Sequence, residues 1–152
     1  MSNPKPMNIL LVDDDIIDVE SIKRIFLNSG ITHSIIVAYD GIQALCMLRS
    51  GEVPRPRIIL LDLNMPKMNG IDFLKEIRSD QQLKYSIVFV LTTSNAEKDR
   101  LAAYDFNVAG YFTKDKIVKN SLKLVKMLEF YWNIVEMPLG DKNAEPSKNS
   151  VS

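Results

Sequence analysis

Asp13, Asp14 and Asp15 stand directly after the apolar run Ile9 to Val12, and Asp62 ends a second run, Ile58 to Leu61. Charge at the end of an aliphatic run is costly unless something answers it. Two like charges ~4 Å apart repel by roughly 4 kcal/mol at an effective dielectric near 20. If the two runs lie side by side, the carboxylates therefore need a cation or must take up protons. Carboxylate and carbonyl oxygens suit Mg2+, which also keeps part of its water shell. Thr92 and Lys114 follow two further apolar runs, Ile87 to Leu91 and Tyr111 to Thr113. A hydroxyl and an ammonium facing a metal-bound carboxylate can hold a phosphoryl group, because anionic oxygens need donors and positive charge while a carboxylate oxygen attacks phosphorus. Asp62 is the expected nucleophile. Each residue alone has a plainer reading: the Asp run as a turn and helix cap, Thr92 as a strand end, Lys114 as a solvated lysine. The agreement of four strand ends favours the chemical one.

Positioning these groups requires a sheet. Short apolar runs alternate with segments of helical periodicity from Asn8 to about Val135, the pattern of βαβ units. Ile9 to Val12, Ile58 to Leu61 and Ile87 to Leu91 lack polar alternation and are expected as central strands covered on both faces. Ser34 to Ala38 and Tyr111 to Thr113 are shorter or more polar and suit edge positions. Between them, Val19, Ile22 and Phe26, then Ile42, Leu45 and Leu48, then Phe73, Leu74 and Ile77 mark helices with one buried stripe. Ser94 with Glu97 reads as a capping box for a fourth helix, and Gly30, Gly51 and Gly110 as helix stops. The prediction is an α/β fold, a doubly wound five-stranded parallel sheet of (βα)5 type, whose ligands collect outside the carboxyl ends of the strands. A last helix is expected over 117–135, with Val118, Leu122, Val125, Leu128, Trp132 and Val135 inward. Leu124, Met127, Tyr131 and Ile134 widen its apolar surface, either to meet a partner or to pack on a neighbouring helix.

The 152 residues suffice for one ordinary domain, expected over 8–137 between an N-terminal extension (1–7) and a polar, disordered tail (138–152). The 19 basic and 19 acidic residues balance, so no field marks a nucleic-acid cradle or membrane anchor. No apolar window approaches the ~20 residues of a membrane span, and a cytoplasmic location is expected. Cys46, the single cysteine, reads as a small buried hydrophobe on a helix, and His33 as structural. No glycine-rich phosphate loop follows a strand.

With these residues in place, the sequence resembles the receiver domain of two-component response regulators. The matching pieces are Leu11-Val12-Asp13-Asp14, Leu61-Asp62-Leu63-Asn64-Met65-Pro66 with Asn69-Gly70, Leu91-Thr92-Thr93, and Gly110-Tyr111-Phe112-Thr113-Lys114. The resemblance implies a flavodoxin-like receiver fold and transfer of a phosphoryl group from a sensor histidine kinase to Asp62. It implies Mg2+ held by Asp14, Asp62 and the Asn64 backbone carbonyl, with Asp13 acting through water. Lys114 and Thr92 would meet phosphoryl oxygens and Tyr111 would change rotamer, altering the surface of the fourth helix, fifth strand and fifth helix. Output would pass to a downstream protein partner, with homodimerisation through the last helix as one route. Asp15 matches no family role and reads as a helix start. Leu91-Thr92-Thr93-Ser94 and Phe130-Tyr131-Trp132 with Met137-Pro138-Leu139 are similar to regulators paired with phytochrome-type kinases.

One departure is Asp115, where the family usually has a proline preceded by a cis bond. A cis bond there would cost roughly 3 kcal/mol, so the loop must carry strain or turn differently. Two rival readings stand beside the switch. A degenerate receiver would bind partners without phosphorylation. A phosphatase of the haloacid dehalogenase type would need its nucleophile on the first strand and a second acid where Asn64 stands.

Overall fold

The fold was taken from a computed structural model, which describes residues 5–138. Five strands form one parallel sheet: β1 (Asn8–Val12), β2 (Ser34–Ala38), β3 (Ile58–Leu61), β4 (Ile87–Thr92) and β5 (Gly110–Thr113), in the order β2-β1-β3-β4-β5. The unbroken apolar runs are explained by burial on both faces. Leu10, Val12, Ile59, Leu61, Val88 and Val90 point into one core, and Ile9, Leu11, Ile58, Leu60, Phe89 and Leu91 into the other. The two weaker runs, β2 and β5, are the edges.

Helices α2 (Gly41–Ser50), α3 (Gly70–Ser79) and α4 (Glu97–Asp105) supply Ala44, Leu45, Leu48, Phe73, Leu74, Ile77 and Ala103 to the first core. Helices α1 (Ile16–Leu27), α5 (Lys114–Lys119) and α6 (Ser121–Ile134) cover the other face through Val19, Ile22, Phe26, Ile117, Leu124, Val125 and Leu128. The doubly wound architecture is the expected one. Met7 is fully buried, and its N–H donates to Nδ1 of His33 at 2.9 Å while Nε2 of His33 meets Glu129 at 2.9 Å. His33 is thus a structural clamp joining the chain start, the β2 entrance and α6. Among the described residues, no helix is long and apolar enough to cross a membrane. The expected disordered tail lies, from residue 139 on, outside the described residues.

Several local expectations need correction. The predicted last helix is two helices, because Asn120 leaves the helical region (φ −132°) and its side-chain amide donates to the Lys116 carbonyl. Such a bond competes with the helix ladder. The break rotates the inward stripe: Leu124, Val125 and Leu128 are buried, whereas Val118, Leu122 and Val135 are exposed. On α2, Ile42 and Cys46 face solvent and Ala44 takes the inward place. Ser94 caps nothing, since α4 starts at Glu97 after Ala96, and its hydroxyl donates instead to Asp99 at 2.5 Å. Gly51 does close α2 in the left-handed conformation (φ 80°). Gly110 stops no helix; it opens β5.

Candidate functional site at the carboxyl rim of the sheet

Register explains why distant carboxylates meet. Val12 pairs with Leu61 across β1 and β3, so Asp13 and Asp62 leave adjacent strands at the same level. The Asp62 N–H donates to the Val12 carbonyl at 2.9 Å, and the Asp13 N–H to the Ala38 carbonyl at 3.0 Å. Both loops therefore start tied to the sheet. One carboxylate oxygen from each of Asp13, Asp14 and Asp62 lies within 4.8 Å of the others, a group able to hold a divalent cation. Asp14 is exposed, while Asp13 and Asp62 are buried.

Burial pushes the Asp13 carboxyl up to about 6, against the opposing pull of Lys114 and the Asp15 N–H, with the Asp62 charge adding to the rise. Desolvation disfavours the charged form of a buried acid, and nearby positive charge favours it. Lys114 is the protein's own compensation. Its Nζ lies 2.7 Å from Asp13 Oδ2, 2.7 Å from Asp18 Oδ2 and 3.5 Å from Asp62 Oδ2. Burial alone would lower its pKa; the bonds to Asp13 and Asp18 and the field of Asp62 outweigh that and raise it.

Thr92 ends β4 fully buried, and its hydroxyl oxygen accepts from the Ser94 N–H at 3.4 Å. Tyr111 lies half-buried on β5, where its hydroxyl donates to the Ser94 carbonyl at 2.9 Å. Burial raises the Tyr111 phenol, and the Arg100 guanidinium sits 5.6 Å from its ring centre. Ser94 thereby joins Thr92 to Tyr111 through its own backbone N–H and carbonyl. Asn64 follows in the loop after Asp62 and donates its N–H to Asp62 Oδ1 at 3.3 Å.

Lys114 is the first residue of α5 rather than the last of β5. Its peptide bond to Asp115 is trans, since the one cis bond among the described residues is Arg55–Pro56. The chain turns differently here, entering a helix at once. The Thr113 hydroxyl and the Lys116 N–H hold the fully exposed Asp115 carboxyl below its usual range. Asp15 caps α1, accepting from the N–H groups of Ile17 and Asp18, as its sequence position suggests.

Nothing in the sequence singles out Asp18. An acid in the first turn of a helix reads as a complement to the helix dipole, and nothing local reveals a lysine 96 residues away.

Gly70 shows how tightly the Asp62 loop is folded. A Cβ there would stand 2.7 Å from the Asp62 carbonyl oxygen and 2.7 Å from Leu63 Cα. Both are backbone atoms, so the loop itself must move. Gly70→Ala is expected to lower the melting temperature by about 2–12 °C, from an overpacking cost of ~1–3 kcal/mol, and to weaken cation binding as well. A melting curve within about 1 °C of wild type would refute the account.

The sequence matches the response regulator receiver domain family over residues 9–127. Response regulator Rcp1 of Synechocystis sp. is 42% identical over 135 residues, covering 86% of this chain and 91% of Rcp1. The crystal structure of its Mn(2+)-bound form superposes with a TM-score of 0.74 at 38% identity, covering 88% of this chain and 99% of that one. The phosphorylated cyanobacterial phytochrome response regulator RcpA gives 0.77 at 36% identity, with the same two coverages, 88% and 99%.

Proposed function

This chain belongs to the response regulator receiver domain family, and from that premise we propose that Asp62 is its phosphoryl acceptor. The observation that carries the assignment is the meeting of Asp13, Asp14, Asp62 and the Lys114 ammonium at one rim. An Asp62 carboxylate oxygen attacks the phosphorus of a phosphohistidine on a sensor kinase, the new O–P bond forms as the P–N bond breaks, and the imidazole nitrogen leaves. Lys114 offers an N–H to a phosphoryl oxygen, and Thr92 turns its hydroxyl toward another. Hydrolysis of the acyl phosphate at the same site resets the protein.

Mg2+ is the cation proposed, with Asp14, Asp62 and the Asn64 carbonyl as ligands and Asp13 acting through water. The all-oxygen donor set fits it, and the raised Asp13 carboxyl is the group that gains from it. Held by these residues, the cation would neutralise charge on the phosphoryl oxygens.

As Thr92 moves inward, the Ser94 backbone moves with it, and Ser94 is what the Tyr111 hydroxyl holds. The switch therefore reaches the face of α4, β5 and the last helices. The helices flanking β5 expose Leu101 and Tyr104 on α4 and Leu122, Phe130 and Ile134 on α6, apolar groups open to a downstream partner or a second copy of the chain. The likeness to RcpA supports a phytochrome-type kinase as phosphodonor, and a cytoplasmic setting is part of the same proposal.

Incubation with acetyl phosphate and Mg2+ tests the assignment. One phosphoryl group added at Asp62 supports it; rapid turnover of diverse phosphate esters would indicate a phosphatase, and no reaction an inert binding module.

A pH dependence follows from Asp13. Its folded-state pKa is raised to about 6, so the folded, cation-free protein holds an extra proton between the ordinary carboxylate range and pH 6. The contribution of Asp13 to stability therefore grows as pH falls through 6. Cation binding needs the ionised form and runs the other way. Calorimetry is expected to show Mg2+ affinity level above pH 7 and about tenfold weaker at pH 5, where roughly one carboxylate in ten would be ionised. Equal affinities would remove Asp13 from the cation site.

A further inference from the structure

The three N–H donors of Lys114 are unequally spent. Asp18 takes a short hydrogen bond at 2.7 Å and Asp62, the proposed acceptor of phosphate, only a long one at 3.5 Å, while Asp13 is ion-paired at 2.7 Å without a hydrogen bond. Asp13 belongs to the cation cluster and Asp18 does not. When a cation engages Asp13, Asp18 is therefore the partner that still draws Lys114 toward α1. Resting on the assignment of Asp62 above, we infer that Asp18 is a positioning residue that restrains phosphoryl transfer, competing with the phosphoryl group for Lys114.

The contest is electrostatic. Transfer from acetyl phosphate forms an O–P bond to Asp62 while the donor's O–P bond breaks and acetate leaves with the electron pair. A dianionic donor must approach a rim that already holds four carboxylates, and Asp18 is one of them. Its charge repels the donor and at the same time occupies the ammonium that would receive a phosphoryl oxygen. Asparagine keeps an oxygen that can accept from Lys114 but removes the charge, so Asp18→Asn separates restraint from simple anchoring. An anchor would be preserved or weakened by that change; a competitor is relieved.

The rate constant for acetyl phosphate uptake in Mg2+ is expected to rise about fivefold in Asp18→Asn, the size appropriate to one partly screened charge. The gain should appear both as a lower half-saturating donor concentration and as a higher limiting rate. It should shrink at high ionic strength, and Asp18→Glu should restore the wild-type rate to within about twofold. A readout without metal or phosphate is the 15Nζ signal of Lys114, whose ammonium protons should exchange with water faster in Asp18→Asn than in wild type. An unchanged or slower uptake rate, or an unchanged Lys114 signal, overturns the inference. If wild type itself takes up no more phosphate than Asp62→Asn, it is the assignment of Asp62 that fails.

Discussion

Asp62→Asn is expected to abolish phosphoryl uptake, with the rate from acetyl phosphate falling by at least about 10³-fold, because the amide oxygen is a poor nucleophile and cannot form the acyl phosphate. The fold should survive. The two side chains are nearly isosteric, and Asp62 is one of the groups whose charge holds the Asp13 carboxyl up. Removing that charge should leave the melting temperature unchanged or slightly higher and let Asp13 ionise more readily. Mg2+ affinity should fall, since one of two buried anionic partners is gone. Peptide mapping after prolonged incubation decides the matter: phosphate appearing at near wild-type rate on Asp13 or Asp14 would show that the nucleophile was misassigned. Uptake within tenfold of wild type with no such relocation would remove carboxylate chemistry from this rim altogether.

How far the sequence foretells this site depends on which interactions are periodic and which are pairwise. Ile58 to Leu61 and Ser34 to Ala38 have the bounds expected of them, because strand burial on both faces writes itself into consecutive residues. The meeting of Asp13 and Asp62 follows from those strands being neighbours, and one register fixes it. Asn120 is different. A single side-chain bond to the Lys116 carbonyl splits a run whose apolar spacing reads as one continuous helix, and the inward stripe shifts from Leu122 to Leu124 as a result. Ser94 and Glu97 have the spacing of a cap, yet the hydroxyl is drawn to Asp99 and the helix begins after it. Cys46 faces solvent since Ala44, Leu45 and Leu48 already fill the inward side of α2. Asp18 carries no local signal because its partner arrives from 96 residues further along the chain.

Arg78 is the other residue whose role is pairwise, and Arg78→Ala is expected to cost the most stability of any change outside the cores. Its guanidinium donates to the carbonyls of Phe106 at 2.7 Å, Lys84 at 2.8 Å, Ser86 at 2.9 Å and Asn107 at 3.1 Å. These four acceptors lie on the two turns that follow α3 and α4, so one side chain ties both turns to the end of α3. Burial lowers the Arg78 pKa, but a guanidinium stays charged and its planar fork can serve several carbonyls at once. Hydrogen bonds to a charged donor contribute ~1.5–3 kcal/mol each, and water can replace only those at the open side, so the net loss should be about 3 kcal/mol. For a chain of this size that lowers the melting temperature by about 6–12 °C. Arg78→Lys should recover little, because a single ammonium nitrogen cannot reach four carbonyls spread over two turns. Amide exchange should quicken at residues 106–109 and stay unchanged at Thr92 and Ser94. That contrast has a mechanical meaning: Arg78 pins the far end of α4, leaving the end beside Thr92 and Tyr111 as the one free to move. A loss below about 1 kcal/mol, or equal loosening at both ends of α4, would show that the helix is held by packing alone.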